Sequence, residues 1–220
     1  MAELLKIDQS DPNNFHKCID KSASIILSGG LVAFPTDTFY GLGVNAFDES
    51  AVKKVFQVKR RDPDKPLLVL IFDHSQLSRL IIEELPIATK LIKDFWPGPL
   101  TLLFRVADSV PKVLTGGSGK IGVRIPDKRL ARELVKKVGL PVTAPSANIS
   151  GGPNPLIARD VVVSIGDQID IIIDDGERRE GGKGSTIIDV STSHPLVIRE
   201  GRIPLKDIGD AIGVDLNLHL

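Results

Sequence analysis

Apolar positions along the chain switch repeatedly between helical and strand spacing. From Asp11, the residues Phe15, Cys18, Ile19, Ser22 and Ile26 recur every three or four positions, which predicts a helix that Gly29-Gly30 stops. The run 31–35, LVAFP, reads as a buried strand, with VNAF after Gly43 as a candidate neighbour. A helix is expected from Glu49 to about Lys59 on Val52, Val55, Phe56 and Val58. Alternation then continues with a strand at 67–72, helices around 76–84 and 86–95, strands at 100–106 and 121–126, and a helix at 128–138. The closing part is strand-rich: PVTAPS, a helix near 157–165, IDIIIDD, STIIDVS, LVIREG and a short C-terminal helix. Such alternation predicts an α/β fold, and the short links between the late strands require a mixed sheet.

Composition narrows this picture. The 220 residues suit one domain with a sizeable core, expected to span 1–220 with its centre at about 20–205. Lys plus Arg and Asp plus Glu both number 28, so any site for a polyanion must be a local one. The single cysteine, Cys18, sits on the apolar helix face and permits no intramolecular disulfide, which fits a reducing compartment. The N-terminus lacks a signal pattern and no apolar stretch reaches the ~20 residues of a membrane span. A cytoplasmic protein is expected.

Two glycine-rich runs imitate phosphate loops. In GGSGKI, Ile121 follows Gly119-Lys120 where a P-loop needs Ser or Thr, and Leu114 stands in place of its first glycine; GGKGST separates Gly, Lys and Ser wrongly. Either run could be a ligand-side loop or a plain turn. His16, His74, His194 and His219 accompany no nucleophile elbow, and no HExxH or paired cysteines suggest a bound metal.

Stronger candidates stand at strand ends, where open α/β sheets bind their ligands. Thr36, Asp37, Thr38 and Tyr40 crowd a turn ended by glycine, suited to an amino acid or a ribose, or to capping the turn itself. Lys59 and Arg61, with Lys65 beyond, follow a helix; they either cap its dipole or, projecting together, clamp a polyphosphate. Ser146 and Asn148 occupy a loop braced by Pro145, Pro153 and Pro155, a frame that lowers the entropy of holding them in place. Arg124, Ser185 and Arg199 lie in or beside strands, and Arg124 within an apolar strand demands a partner, a carboxylate or a ligand anion. Trp96 in WPGPLT reads as packing.

PTDTFYGLG, KRR with KPL, WPGPLT, GVRIP, SAN and STIID, in that order, resemble the YrdC/TsaC family of threonylcarbamoyl-adenylate synthases over roughly residues 20–200. The resemblance implies a single three-layer α/β domain with a mixed twisted sheet around a concave basic cavity. It further implies a nucleotidyltransferase that joins ATP, L-threonine and bicarbonate into threonylcarbamoyl-AMP and pyrophosphate. A downstream transferase would pass the threonylcarbamoyl group to the adenosine beside a tRNA anticodon. The family's KxR/SxN tetrad falls on Lys59, Arg61, Ser146 and Asn148, as catalytic and ATP-binding groups along with Lys65 and Arg199. Thr36, Thr38, Tyr40, Arg124 and Ser185 would hold threonine, and Mg2+ would travel with ATP. Leu70 and Lys65 replace a histidine and an asparagine of longer family members, whose linker and C-terminal domain the chain lacks, so site closure is expected from its own loops or from partners. An RNA-binding module and a different carbamoyl-adenylate enzyme are the alternatives.

Overall fold

A computed structural model describes residues 1–8 and 10–216; His219 lies outside them. Among the described residues, ten strands are flanked by seven helices: β1 (Glu3–Lys6), α1 (Pro12–Leu27), β2 (Val32–Pro35), β3 (Tyr40–Gly43), α2 (Glu49–Lys59), β4 (Leu68–Leu70), α3 (Pro86–Phe95), β5 (Leu100–Arg105), α4 (Lys112–Thr115), β6 (Lys120–Arg124), α5 (Arg129–Val138), β7 (Val142–Thr143), α6 (Ala158–Ile165), β8 (Ile171–Asp174), β9 (Thr186–Asp189), β10 (Leu196–Arg199) and α7 (Leu205–Ile212).

The strands form a four-stranded sheet, β1-β8-β2-β3, and a six-stranded sheet, β10-β9-β5-β6-β4-β7, each mixing parallel and antiparallel pairs. Their inner edges meet. Antiparallel bridges Gly41–Ser146 and Asn45–Val142 join β3 to the β7 segment, with Leu42 N donating to Pro145 O at 2.8 Å and Thr143 N to Val44 O at 3.0 Å. The seam matters because the Ser146 loop starts there.

Strand alternation builds the three layers. Val32, Phe34, Leu70, Ile171 and Ile173 face α1 and α5, contributing to a core with Ile19, Ile26, Leu134 and Val135. Their neighbours Ala33, Val69 and Ile172 face the other way, into a larger core with Val55 and Phe56 of α2, Leu91 of α3, Val161 of α6 and Ile208 of α7. Leu70 is wholly buried in the first core, while Leu68, two residues earlier, reaches the cavity described below. Cys18 is buried, as its helix face requires. Trp96 is buried too, its indole N–H donating to Leu100 O at 2.7 Å, so it packs as expected.

Two local readings need correction, and two short elements had no reading. The strand paired with β2 is Tyr40–Gly43, not VNAF: the hydroxyl-rich turn is itself a tight hairpin, and Gly43 packs so closely on Phe34 that a Cβ there would collide with its ring. Residues 74–79 form a 3₁₀ turn capped by Asp73 rather than a helix at 76–84. β1 and α4 carry no period of their own: β1 is a short edge strand beside β8, and α4 is a single turn.

Candidate functional site

Helix α2 is capped by Asp48, which accepts from Ala51 N, and it ends at Arg60, a non-glycine residue in the left-handed region at φ 48°. Such a conformation costs on the order of 1–2 kcal/mol outside glycine, and it turns the chain so that Lys59 and Arg61 part company. Lys59, 2 % exposed, points inward and donates to Ser146 O at 2.5 Å and Asn148 O at 2.8 Å, with Asn148 Oδ1 at 3.5 Å. Its own carbonyl accepts from Ser150 N at 2.8 Å. Arg61 instead donates to Lys65 O at 3.1 Å and Pro66 O at 2.9 Å, so it rigidifies the 62–66 loop. The Lys65 side chain is exposed.

The Lys59 ammonium is therefore engaged with backbone carbonyls, and Lys59 and Arg61 have different hydrogen-bond partners in this arrangement. Burial, followed by the nearby charge of Arg61, pushes the Lys59 pKa down to about 8. Lys59, Ser146 and Asn148 do form one unit. Ser146 Oγ donates to Asn148 Oδ1 at 2.6 Å, and Asn148 Nδ2 donates to Gly152 O at 2.8 Å and Pro153 O at 3.0 Å. The prolines thus hold a loop whose polar side chains are already fixed by internal hydrogen bonds.

Ser146 stands on the rim of a cavity of about 320 Å³ at the seam of the two sheets. Thr36, Thr38, Tyr40, Leu68, Arg124, Ser185 and Arg199 line it together. Thr36 Oγ1 donates to Phe39 O at 2.7 Å and lies 3.1 Å from Thr38 Oγ1, which orients both hydroxyls. Ser185 Oγ lies 2.8 Å from Thr101 Oγ1, while Arg199 Nη2 donates to Ser185 O at 2.8 Å. The close approach of Arg199 to this strand end uses Gly184, where a Cβ would lie 3.0 Å from Arg199 Nη2.

Arg124 is buried, and its partner inside the protein is Asp37: Nη1 donates to Oδ2 at 3.2 Å. Arg124 Nε and Asp37 Oδ1 remain buried without a hydrogen-bond partner. Burial pulls the Arg124 pKa down, Asp37 opposes this, and the charges of Arg202 and Arg199 add to it. An under-satisfied guanidinium in the lining of a polar cavity, with two further arginines near it, can pair with an anion.

Seven expected residues thus line one cavity: Thr36, Thr38, Tyr40, Arg124, Ser146, Ser185 and Arg199. Lys59 and Asn148 stand directly behind Ser146, and Arg61 and Lys65 lie beyond them. Asn154, Lys183 and Glu200 also line the cavity but were not singled out from sequence. Lys183 had a signal, since it belongs to GGKGST, part of which lines the cavity, whereas Gly117 and Gly119 of GGSGKI do not line it. His16, His74 and His194 do not line it. Beneath Tyr40, the Asp175 carboxyl is pushed up by burial but held below its ordinary value by hydrogen bonds from Lys128 and Arg179. Burial and the Asp175 charge push the Tyr40 phenol up.

A family model, Sua5/yciO/yrdC, described as telomere recombination, matches residues 24–201. The chain is 44% identical over 198 residues to the threonylcarbamoyl-AMP synthase of Pyrococcus abyssi, covering 90% of this chain and 58% of that protein. It is 36% identical over 208 residues to a putative threonylcarbamoyl-AMP synthase of Mycobacterium tuberculosis, covering 94% of this chain and 95% of that protein. Among solved structures, P. abyssi Sua5 complexed with L-threonine superposes with a TM-score of 0.90 at 41% identity, covering 96% of this chain and 61% of that one. YciO of Escherichia coli gives a TM-score of 0.84 at 26% identity, covering 94% and 100%. The chain therefore spans little more than half the length of some relatives and nearly all of others.

Proposed function

Because the chain belongs to the Sua5/YciO/YrdC family, we propose that it condenses L-threonine, bicarbonate and ATP into threonylcarbamoyl-AMP and pyrophosphate. The observation that carries this reading is the cavity itself, where the under-satisfied Arg124 faces an array of hydroxyls with the Ser146 loop at its rim. The threonine carboxylate would take the open side of Arg124, and Thr36, Thr38 and Ser185 would hydrogen-bond its polar groups. Its amine then adds to the carbon of bicarbonate, water leaves, and a carbamate forms. A carbamate oxygen attacks the α-phosphorus of ATP as the bond to pyrophosphate breaks.

No covalent catalyst enters these steps, so the protein contributes position and charge. Arg199 and Lys183 bring positive charge to the cavity lining. Ser146 and Asn148 would orient the nucleotide from a loop that Lys59 holds. Arg61 and Lys65, at the end of α2, would reach the phosphates only after leaving their positions in the free protein.

Among the described residues no group of three or more His, Cys, Asp or Glu could hold a metal ion. On this reading magnesium arrives on the phosphates of ATP, coordinated mainly by them and by water. Among the described residues no helix is long and apolar enough to cross a membrane. A cytoplasmic location, with tRNA and a threonylcarbamoyl transferase downstream, goes with the proposed reaction.

The test is to incubate the purified protein with ATP, L-threonine and labelled bicarbonate and look for a labelled adenylate by mass spectrometry. Pyrophosphate release that ignores threonine would refute the proposal, and salt-sensitive RNA binding without turnover would favour an RNA-binding module.

A further inference from the structure

Between β8 and β9 the chain runs from Asp175 to Ser185 without helix or strand. Gly176, Gly181 and Gly182 have positive φ values of 72°, 74° and 80°, and most of the side chains between are exposed. The far end of this strap, Lys183 to Ser185, forms a wall of the cavity. Arg179 departs from the pattern. It is 6 % exposed and does not line the cavity. A long cation turned inward from an exposed segment is costly unless several partners compensate it.

Those partners come from three separate pieces of the cavity. Arg179 Nη2 donates to Asp175 Oδ1 and Oδ2 at 2.5 and 2.7 Å and to Glu177 O at 3.0 Å. Nη1 lies 3.5 Å from Thr36 O, and the guanidinium sits 5.8 Å from the centroid of the Tyr40 ring. The backbone N of Arg179 donates to Leu156 O at 2.9 Å, one residue past Pro155, whose carbonyl accepts from Tyr40 N at 3.1 Å. Asp175 is held in turn by Lys128 at 2.9 Å and by the Tyr40 hydroxyl at 3.4 Å. The strap and the hydroxyl-rich turn therefore meet at one guanidinium, and the backbone of the same residue ties the strap to the proline-rich tail of the Ser146 loop.

The strap's other end is fastened independently. Arg202 donates through its backbone N to Gly184 O at 2.9 Å and through Nε to Lys183 O at 3.3 Å. Loss of Arg179 would free the Thr36–Tyr40 side while leaving Ser185 in register.

We propose that Arg179 is a positioning residue for the threonine end of the site, fixing Thr36 and Tyr40 against the strap without touching substrate. This rests on the threonine reading given above. The experiment compares wild type with Arg179→Ala and Arg179→Lys in steady-state pyrophosphate release, alongside backbone amide exchange in the free proteins. Expected for Arg179→Ala are a threonine KM raised about tenfold, an ATP KM and a kcat within about threefold of wild type, and faster exchange confined to residues 36–40 and 176–182. Arg179→Lys should fall between, because it keeps the charge for Asp175 but loses the two-pronged geometry.

Threonine and ATP KM values rising together, or exchange unchanged at 36–40, would overturn the proposal, as would faster exchange with an unaltered threonine KM. If Arg179→Ala exchanges quickly throughout the chain, Arg179→Lys is judged by the same criteria. A wild-type protein that releases no pyrophosphate in response to threonine refutes the functional reading and this proposal with it. The latch contact would then be decided separately, by exchange alone.

Discussion

Replacing Lys59 by Met keeps most of the side-chain volume and removes the charge, so it separates two effects that the buried ammonium combines. Two hydrogen bonds from a charged donor are lost, to Ser146 O and Asn148 O. At about 1.5–3 kcal/mol each, this costs on the order of 3–6 kcal/mol. Against it stands relief from burying a cation. Depression of the Lys59 pKa from 10.5 to about 8 corresponds to roughly 3 kcal/mol at 1.36 kcal/mol per pH unit. The net loss is then about 0–3 kcal/mol, or up to about 12 °C in Tm for a chain of this size.

Activity should respond far more steeply. Asn148 O loses the ammonium that anchors it, and displacement of positioning groups by about 1 Å costs on the order of a hundredfold in rate. Thermal unfolding followed by circular dichroism gives the first quantity, and pyrophosphate release coupled to pyrophosphatase gives the second. A Lys59→Met protein that turns over within threefold of wild type would refute the anchoring argument. A Tm lowered by more than about 20 °C would refute the compensation between lost hydrogen bonds and relieved burial.

The same pKa predicts a pH dependence with a definite sign. Between pH 8 and 10.5 the folded state has released the Lys59 proton while the unfolded chain keeps it, so stability rises with pH there. Denaturant unfolding should show wild type gaining up to about 3 kcal/mol on Lys59→Met across that window and nothing below it. Asp37→Ala leaves Arg124 buried without its carboxylate and should cost about 3–5 kcal/mol; L-threonine should raise the Tm of this variant more than that of wild type, read by differential scanning calorimetry. In Gly201→Ala the new Cβ would collide with the backbone of Gly184, Ser185 and Thr186, so a loss of about 3 kcal/mol or more and a displaced Ser185 are expected. Gly117→Ala is the control: its Cβ meets open space, and only the φ of 73° penalises it, by about 1 kcal/mol in the same melting experiment.

Much of the fold was legible because its cores are regular. The α2 boundaries follow from Asp48 and the apolar spacing, and strands such as IGVRIP and LTLLFRV are apolar runs bounded by loops. Misreadings occurred where local pattern and tertiary context disagree. Tyr40–Gly43 holds two glycines and looks like loop, yet it pairs with β2 as a strand, with Ala144 packed over Gly41 and Phe34 over Gly43. The four residues of β1 are ordered by pairing with β8, far away in sequence, which no local period can reveal. The division into two sheets joined at β3 and β7 was equally invisible, since it depends on which edges meet.

For the site, residue types were legible and their division of labour was not. Hydroxyls, arginines and the Ser146 loop were recognisable from position at strand ends, and the structure gathers them around one cavity. Adjacency left the pose of Lys59 and Arg61 open, and the left-handed residue between them, Arg60, gives them different hydrogen-bond partners. Arg124 required a partner on physical grounds, but that it would be Asp37, 87 residues away, follows only from the packing of β6 against the turn after β2. Arg179 gave no signal, being one of several charges in a polar run. What sets it apart is being the one residue of its strap, 176–184, that is buried. A site assembled from strand ends and loops is thus set by two kinds of cation: those that face the cavity, as Arg124 and Arg199 do, and those that brace its walls from behind, as Lys59 and Arg179 do. Sequence spacing cannot tell these apart, since both kinds are simply Lys or Arg near a loop. What separates them is the lining itself, which includes Arg124 and Arg199 but not Lys59 or Arg179, so charge removal should alter ligand affinity at the first kind and loop order at the second.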